Sequence, residues 1–387
     1  MTDDDNINLD QIRLVNQCNF CGKTKDQVYK IIVAEGVGIC DECIDLCSKV
    51  LTDEKAKQWS KDLEPKTAKE IVAFLDETVV GQHKAKRHMA VGVVNHYKRI
   101  MYDDTGSIEK NNQLVIGPTG SGKTFMAKQI AKFLDVPIVI ADATSLTESG
   151  YVGDDVESII SSLLMKVDFN VARAEQGIIF LDEIDKIGRK SENVSITRDV
   201  SGEGVQQALL KLVEGTKVRV APQGGRKHPQ QEMLEVDTSK ILFIGSGAFV
   251  GLDSSQNNSI GFNGTLGKEK KFITNELINY GMIPEFVGRF PVIVQTTELS
   301  RSELKQVLTE IDNNLIEQTR FYFKLDDVEL EFSEKALDKI VDNALQYKVG
   351  ARALKGILES TLLEYYYEMD LLKGKKVTIN ESDVQEV

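Results

Sequence analysis

At 387 residues the chain is long enough for two or three domains, each with its own core. Hydrophobic residues at 41% and charged ones at 28% are ordinary for a globular protein, and no apolar run approaches the roughly 20 residues a membrane-crossing helix needs. Acidic residues (60) outnumber basic ones (47), and the net charge of −13 opposes general binding to a phosphate backbone, so neither nucleic acid nor membrane is an expected partner. The amino terminus, MTDDDNINLD, lacks the basic-then-apolar pattern of a secretory signal, and a cytoplasmic location is expected.

Thiols stay reduced in that compartment, so the five cysteines need an explanation other than disulfides. Cys18-x-x-Cys21 and Cys40-x-x-Cys43 are separated by 18 residues, a spacing that lets two thiolate pairs close a tetrahedral shell around one Zn²⁺. A segment of about 50 residues buries too little apolar surface to be secure alone, whereas structural zinc contributes on the order of 10–16 kcal/mol in small peptides. Four sulfurs leave no position for water, so the metal is structural. Cys47, four residues past Cys43 on the same helix face, reads as a buried core thiol outside the shell. The zinc-binding domain spans 1–50, and the charged stretch 51–69 is a linker.

From about residue 70 helical segments alternate with short β-branched runs at Leu114 to Ile116, Val136 to Ala141, Ile178 to Leu181 and Ile241 to Ile244. That alternation predicts an α/β domain with a parallel sheet over 70–298. Two Gly- and polar-rich stretches, Pro222 to Pro229 and Gly251 to Gly267, are too long for simple connections and read as functional or disordered loops. Ser300-Arg301-Ser302-Glu303 is a capping box opening a small helix-rich domain, 299–387.

Gly117, Pro118, Thr119, Gly120, Ser121, Gly122, Lys123 and Thr124 follow the run Leu114-Val-Ile and precede a helical run, the strand-loop-helix setting of a P-loop. Glycines let backbone amides wrap phosphates, Lys123 reaches the β- and γ-phosphates, and Thr124 ligates Mg²⁺. About 60 residues later, Ile178-Ile-Phe-Leu-Asp-Glu183 has the form of a Walker B strand. Asp182 holds Mg²⁺ through its water shell, and Glu183 is placed as the general base for water attack on the γ-phosphate. Arg289, in Pro284-Glu-Phe-Val-Gly-Arg289-Phe, and Arg352, in Gly350-Ala-Arg352-Ala-Leu, stand out as cations. On sequence alone each serves a γ-phosphate or a surface ion pair equally well.

Together with Val79-Val-Gly-Gln82, Gly150-Tyr-Val-Gly153, Leu181-Asp-Glu-Ile-Asp-Lys186, Ser195-Ile-Thr-Arg-Asp-Val-Ser-Gly202, Arg226-Lys-His228 and Ile260-Gly-Phe262, these motifs resemble the ClpX family of AAA+ unfoldases over nearly the whole chain. The resemblance implies an AAA+ large domain, a small α-helix-rich domain and an amino-terminal zinc module, assembled as a homo-hexamer that uses ATP and Mg²⁺. By the same resemblance Val79 and Val80 border the adenine, Arg289 acts in trans as an arginine finger and Arg352 senses nucleotide. Tyr151 and Val152 resemble a pore loop that grips polypeptide, although the residues alone also suit a turn. Arg198 falls in a second pore loop. Arg226, Lys227 and His228 map to a substrate-entry loop, where a basic triplet otherwise reads as solvated surface. Ile260, Gly261 and Phe262 resemble the anchor that docks a ClpP-type peptidase ring, in keeping with apolar side chains in a polar loop. Where many AAA+ chains end a strand with a polar sensor, this one has Gly245-Ser246-Gly247, and no sensor-1 residue is assigned.

The function the resemblance implies is ATP-driven unfolding and translocation of protein, with chaperone activity, and with unfolded or tagged substrates and adaptors meeting the zinc domain. No Ser-His-Asp or Cys-His arrangement is evident, so peptide cleavage has to come from the peptidase. Two rivals stay open: a nucleic-acid motor with the zinc module as reader, disfavoured by the acidity and by Tyr151 and Val152, and a scaffold whose nucleotide only regulates assembly.

Overall fold

The computed structural model describes residues 16–34, 36–48, 50–51, 66–103, 105–147, 154–188, 202–221, 233–252, 266–347 and 349–385. Contacts divide the chain into two units, Met1–Glu64 and Pro65–Val387. In the first, strands β1 (Ile31–Ala34) and β2 (Val37–Cys40) pair antiparallel with Ile31 opposite Cys40, and helix α1 follows over 41–48. Among the described residues its core is Cys18, Cys40 and Cys43, with Val28, Ile31 and Ile39 packed against them. So little apolar material leaves the fold dependent on its sulfurs.

The second unit begins with α2 (Ala68–Thr78), capped by Thr67, whose hydroxyl accepts the Glu70 amide at 3.3 Å while the Glu70 carboxylate accepts the Thr67 amide at 2.6 Å. Those bonds from Thr67 hold the Glu70 carboxyl below the usual range. After α3 (His83–Tyr102) come β3 (Gln113–Ile116), α4 (Lys123–Phe133), β4 (Ile138–Asp142), the short parallel pair β5 (Leu146–Thr147) and β6 (Asp154–Asp155), α5 (Ser158–Lys166), α6 (Val171–Glu175) and β7 (Ile178–Asp182). Then follow α7 (Glu203–Glu214), the antiparallel pair β8 (Lys217–Val220) and β9 (Leu234–Asp237), β10 (Leu242–Gly247), α8 (Leu266–Asn279), α9 (Pro284–Gly288) and β11 (Val292–Gln295).

Five of these strands form a parallel sheet in the order β11-β3-β10-β7-β4. A parallel sheet is covered on both faces, which is why its central strands read as unbroken apolar runs. Leu114, Ile179, Leu181 and Phe243 join one core with Ile160, Leu209 and Phe286 of α5, α7 and α9. Val115, Phe180 and Ile244 alternate to the opposite face, and α2, α3 and α4 bury Ile71, Leu75, Met89, Met126 and Ile130.

The strands differ from the sequence expectation in three places. β4 starts at Ile138 and not at Val136, because Pro137 has no amide to give the ladder and contributes only its carbonyl, which accepts from Ile178 at 2.8 Å. β10 runs past Ile244 to Gly247, since Gly245, Ser246 and Gly247 pair with Leu114, Val115 and Ile116. No strand is predicted at 292–295 from sequence, yet β11 forms there as an edge strand whose register on β3 sets Val292 against Gln113. The expected loop Gly251 to Gly267 also ends two residues early, at the start of α8.

The rest is α10 (Arg301–Thr309), α11 (Leu315–Leu325), β12 (Glu329–Phe332), α12 (Glu334–Gln346), α13 (Ala351–Tyr367), α14 (Met369–Leu372) and β13 (Lys376–Ile379), with β12 and β13 parallel. Ala336, Leu337, Ile340, Val341 and Ala344 form the buried stripe of α12 and meet Leu304, Phe323, Leu354 and Ile379 in a separate core. Among the described residues no helix is long and apolar enough to cross a membrane. The Ser300 hydroxyl accepts the Glu303 amide at 3.3 Å, and the Glu303 carboxylate accepts the Ser300 amide at 2.7 Å. Ser300→Ala is expected to destabilise this region by about 1 kcal/mol, read as a lower urea midpoint for its unfolding.

Candidate functional site

The zinc site is built from a turn and a strand-helix junction. Cys18 and Cys21 bracket a turn closed by Gly22 N–H to Cys18 carbonyl and Cys18 N–H to Lys23 carbonyl, both 2.8 Å, while Cys40 ends β2 and Cys43 lies in the first turn of α1. The four sulfurs all lie within 4.8 Å of one another, and Cys21 and Cys40 are 3.7 Å apart. A tetrahedron with Zn–S of about 2.3 Å has edges of about 3.8 Å, so the set fits zinc. Amides of Phe20 and Cys40 point at the Cys18 sulfur at 3.4 and 3.3 Å. Burial raises the Cys18 thiol, but the amides of Cys21, Cys40 and Phe20 outweigh it and bring the group down to about 6. Burial, and then the neighbouring sulfurs, push Cys43 up, and burial does the same to Cys40. Four crowded sulfurs do not ionise together without a cation among them. Cys47, expected as a buried core thiol, is only half-buried, because a module this small does not cover the helix a turn beyond Cys43.

In the second unit the nucleotide motifs converge at the carboxyl ends of β3 and β7, with the end of β10 between them. Gly117 has φ 150°, and a Cβ there would lie 2.1 Å from the Thr296 hydroxyl; Gly120 has φ 77°, and a Cβ would lie 2.0 Å from the Val349 carbonyl. Only glycine fits these positions, and the loop backbone is held in the concave form a phosphate needs. Lys123 starts α4, and its ammonium donates to the Gly117 and Pro118 carbonyls at 2.7 and 2.9 Å. Burial depresses the Lys123 pKa, Arg352 adds to the depression, and Asp182 opposes it.

The Thr124 hydroxyl donates to Asp182 Oδ2 at 2.9 Å. An alcohol oxygen and a carboxylate meeting beside a phosphate loop are hard oxygen donors, the set that suits Mg²⁺. Glu183 is exposed and has φ 56°, a left-handed conformation that costs a non-glycine residue on the order of 1–2 kcal/mol. Glu183 follows the last residue of β7, and its left-handed backbone breaks the strand's alternation directly beside Asp182.

Arg352, the second residue of α13, is exposed and close enough to Lys123 to act on its charge. Arg289 follows α9 and pairs with Glu214 in the same chain, its Nε 2.9 Å from Oε1. Val79 caps the end of α2 and is buried, whereas Val80 is half-buried. Tyr151, Val152, Arg198, Arg226, Lys227, His228, Ile260, Gly261 and Phe262 lie outside the described residues.

Several side chains that shape the site carry no sequence signal of their own. Thr296, just past β11, bonds Ser121 at 2.7 Å and so ties the edge strand to the P-loop. Gln82, quoted in a motif but given no role, clasps the Thr297 backbone through Nε2 to its carbonyl at 2.7 Å and its amide to Oε1 at 3.0 Å. Lys86 is wholly buried, and its ammonium bonds the Val79 carbonyl and Asp76. A lysine amid helical polar residues ordinarily reads as solvated surface, and only its two acceptors reveal otherwise.

The AAA domain (Cdc48 subfamily) model matches residues 108–293, and the model for the C-terminal, D2-small domain, of ClpB protein matches 299–381. The ClpX C4-type zinc finger model matches 16–53, containing all four clustered cysteines. The ATP-dependent Clp protease ATP-binding subunit ClpX of Treponema denticola is 46% identical over 381 residues, covering 94% of this chain and 92% of that protein. The chain belongs to the ClpX family. Its AAA domain makes it an ATPase that uses ATP with Mg²⁺, and the ClpX-type finger carries structural zinc. The AAA match contains the P-loop, Asp182, Glu183 and Arg289, while Arg352 falls in the small-domain match. Stripping zinc with a chelator under reducing conditions is expected to abolish hydrogen-exchange protection over 16–48, leaving the sheet core of the second unit protected.

Proposed function

We propose that this protein is an ATP-driven unfoldase and translocase that works as a homo-hexamer, threads polypeptides into a ClpP-type peptidase ring and also has ATP-dependent chaperone activity. The observation that carries the hydrolytic part is the 2.9 Å bond from Thr124 to Asp182, with the exposed Glu183 next in the chain. In this reading the P-loop amides and Lys123 bind and orient the phosphates. Thr124 and Asp182 hold Mg²⁺, which when bound neutralises charge on the β- and γ-phosphates. The Glu183 carboxylate accepts the proton of the attacking water. Arg352 serves the nucleotide of its own subunit and Arg289 that of a neighbour. Val79 and Val80 border the adenine.

The domain assignment that goes with this is a zinc-binding module at 1–50, a linker at 51–69, the large ATPase domain at 70–298 and the small domain at 299–387. Tyr151, Val152 and Arg198 grip the substrate in the pore, Arg226, Lys227 and His228 line its entrance, and Ile260, Gly261 and Phe262 dock the peptidase. The zinc module receives substrates or adaptors. A cytoplasmic location suits a chain that needs reduced cysteines. Folded domains are stable by only about 5–15 kcal/mol, so repeated strokes on a terminus suffice to breach local structure.

Glu183→Gln is expected to bind ATP normally and lower kcat by about 10²-fold or more, measured by phosphate release. A stably folded, tagged reporter should be degraded only with ATP and a peptidase ring together. ATPase stimulation by DNA but not by unfolded protein would reject the unfoldase reading. Deleting 260–262 should abolish degradation with ATPase retained; retained degradation removes that loop from docking.

A further inference from the structure

Arg289 is not loose on the surface. Directly beneath it Asn112, 1% exposed, donates through Nδ2 to the carbonyls of Val213 at 3.2 Å and Arg289 at 3.0 Å, while its Oδ1 accepts the Phe243 amide at 3.2 Å. Lys110 donates to the same Val213 carbonyl at 3.2 Å and to Thr238 at 2.8 Å, lying 4.4 Å over the Phe243 ring. The residue after Val213 is Glu214, whose Oε1 accepts from Nε of Arg289 at 2.9 Å and lies 2.5 Å from its Nη2. One buried amide therefore fastens the backbone at both ends of a single ion pair.

Stability alone does not account for this arrangement. The pair is half-exposed, with side chains 52% and 39% accessible, and exposed pairs contribute little. Direction does account for it. Glu214 engages the Nε/Nη2 edge of the guanidinium and leaves the Nη1 edge facing away, so an otherwise mobile side chain is aimed without being used up. We propose that Glu214, set in place by Asn112, is a positioning residue for Arg289, holding the free guanidinium edge toward the γ-phosphate bound by the adjacent subunit. The proposal rests on the reading that Arg289 acts in trans.

The test uses the full-length assembled protein with Arg289→Ala, Glu214→Gln and the double variant, each followed by steady-state ATPase. Glu214 is at the surface, so its substitution leaves the melting temperature near that of the parent. The expected result is a kcat lowered roughly three- to tenfold by Glu214→Gln with KM for ATP kept within about twofold, and no further loss when it is added to Arg289→Ala. In mixed assemblies, Arg289→Ala subunits should hydrolyse more slowly beside Glu183→Gln/Glu214→Gln subunits than beside Glu183→Gln ones, which places the effect across the subunit boundary. If Arg289→Ala is inactive but Glu214→Gln keeps full kcat, or the two losses multiply, the positioning role is overturned and the trans arginine stands. If Arg289→Ala keeps full kcat, the trans reading itself falls and the proposal with it.

Discussion

β10 hydrogen-bonds to β3 on one side and to β7 on the other, in registers that set Gly245 against both Leu114 and Leu181. That double pairing brings two motifs about 60 residues apart in the chain to one edge of the sheet. Because all five strands of this sheet are parallel, their carboxyl ends emerge together, the place where an open α/β sheet leaves a crevice for a ligand. The P-loop leaves β3, the acidic pair ends β7, and the Thr124–Asp182 bond spans the gap. The exit from β10 is tied in as well, for Gly247 accepts the Gly117 amide at 3.2 Å and Asp185 accepts the Ala248 amide at 3.3 Å.

What the sequence made legible is chemistry carried by neighbours in the chain. The P-loop is eight consecutive residues, the Walker B acids are adjacent, and the Ser300 cap closes over three residues, so each bears its own signature. Two cysteine pairs sufficed to identify a four-sulfur site because metal geometry restricts spacing so tightly. The supports that hold these groups were not legible. Thr296 meets Ser121 across 175 residues, and Asn112 meets Arg289 across 177. An asparagine or threonine has no local pattern that says which carbonyl it will find after folding. β11 escaped for a related reason: four residues at a sheet edge gain their meaning from β3 and carry too short a pattern to be told from a loop.

The two halves of the chain solve the problem of stability differently. The sheet unit buries aliphatic and aromatic side chains on both faces and spends its buried polar groups on clamps such as Asn112 and Gln82. The zinc module has three buried cysteines where a core would be. Its residues therefore act first as ligands and only then as packing, and ion loss removes the centre of the module and not merely an ornament on it.

The P-loop also touches the carboxy-terminal helical region at a point where neither side has room to yield. Ala351 donates to the Gly120 carbonyl at 3.3 Å, and a Cβ on Gly350 would lie 2.8 Å from that same oxygen. Backbone here rests on backbone, with no side chain between to absorb a displacement by changing rotamer. Any side chain larger than hydrogen at Gly120 or Gly350 would force this contact apart. The first turn of α13 is thereby fastened to the P-loop by main chain alone.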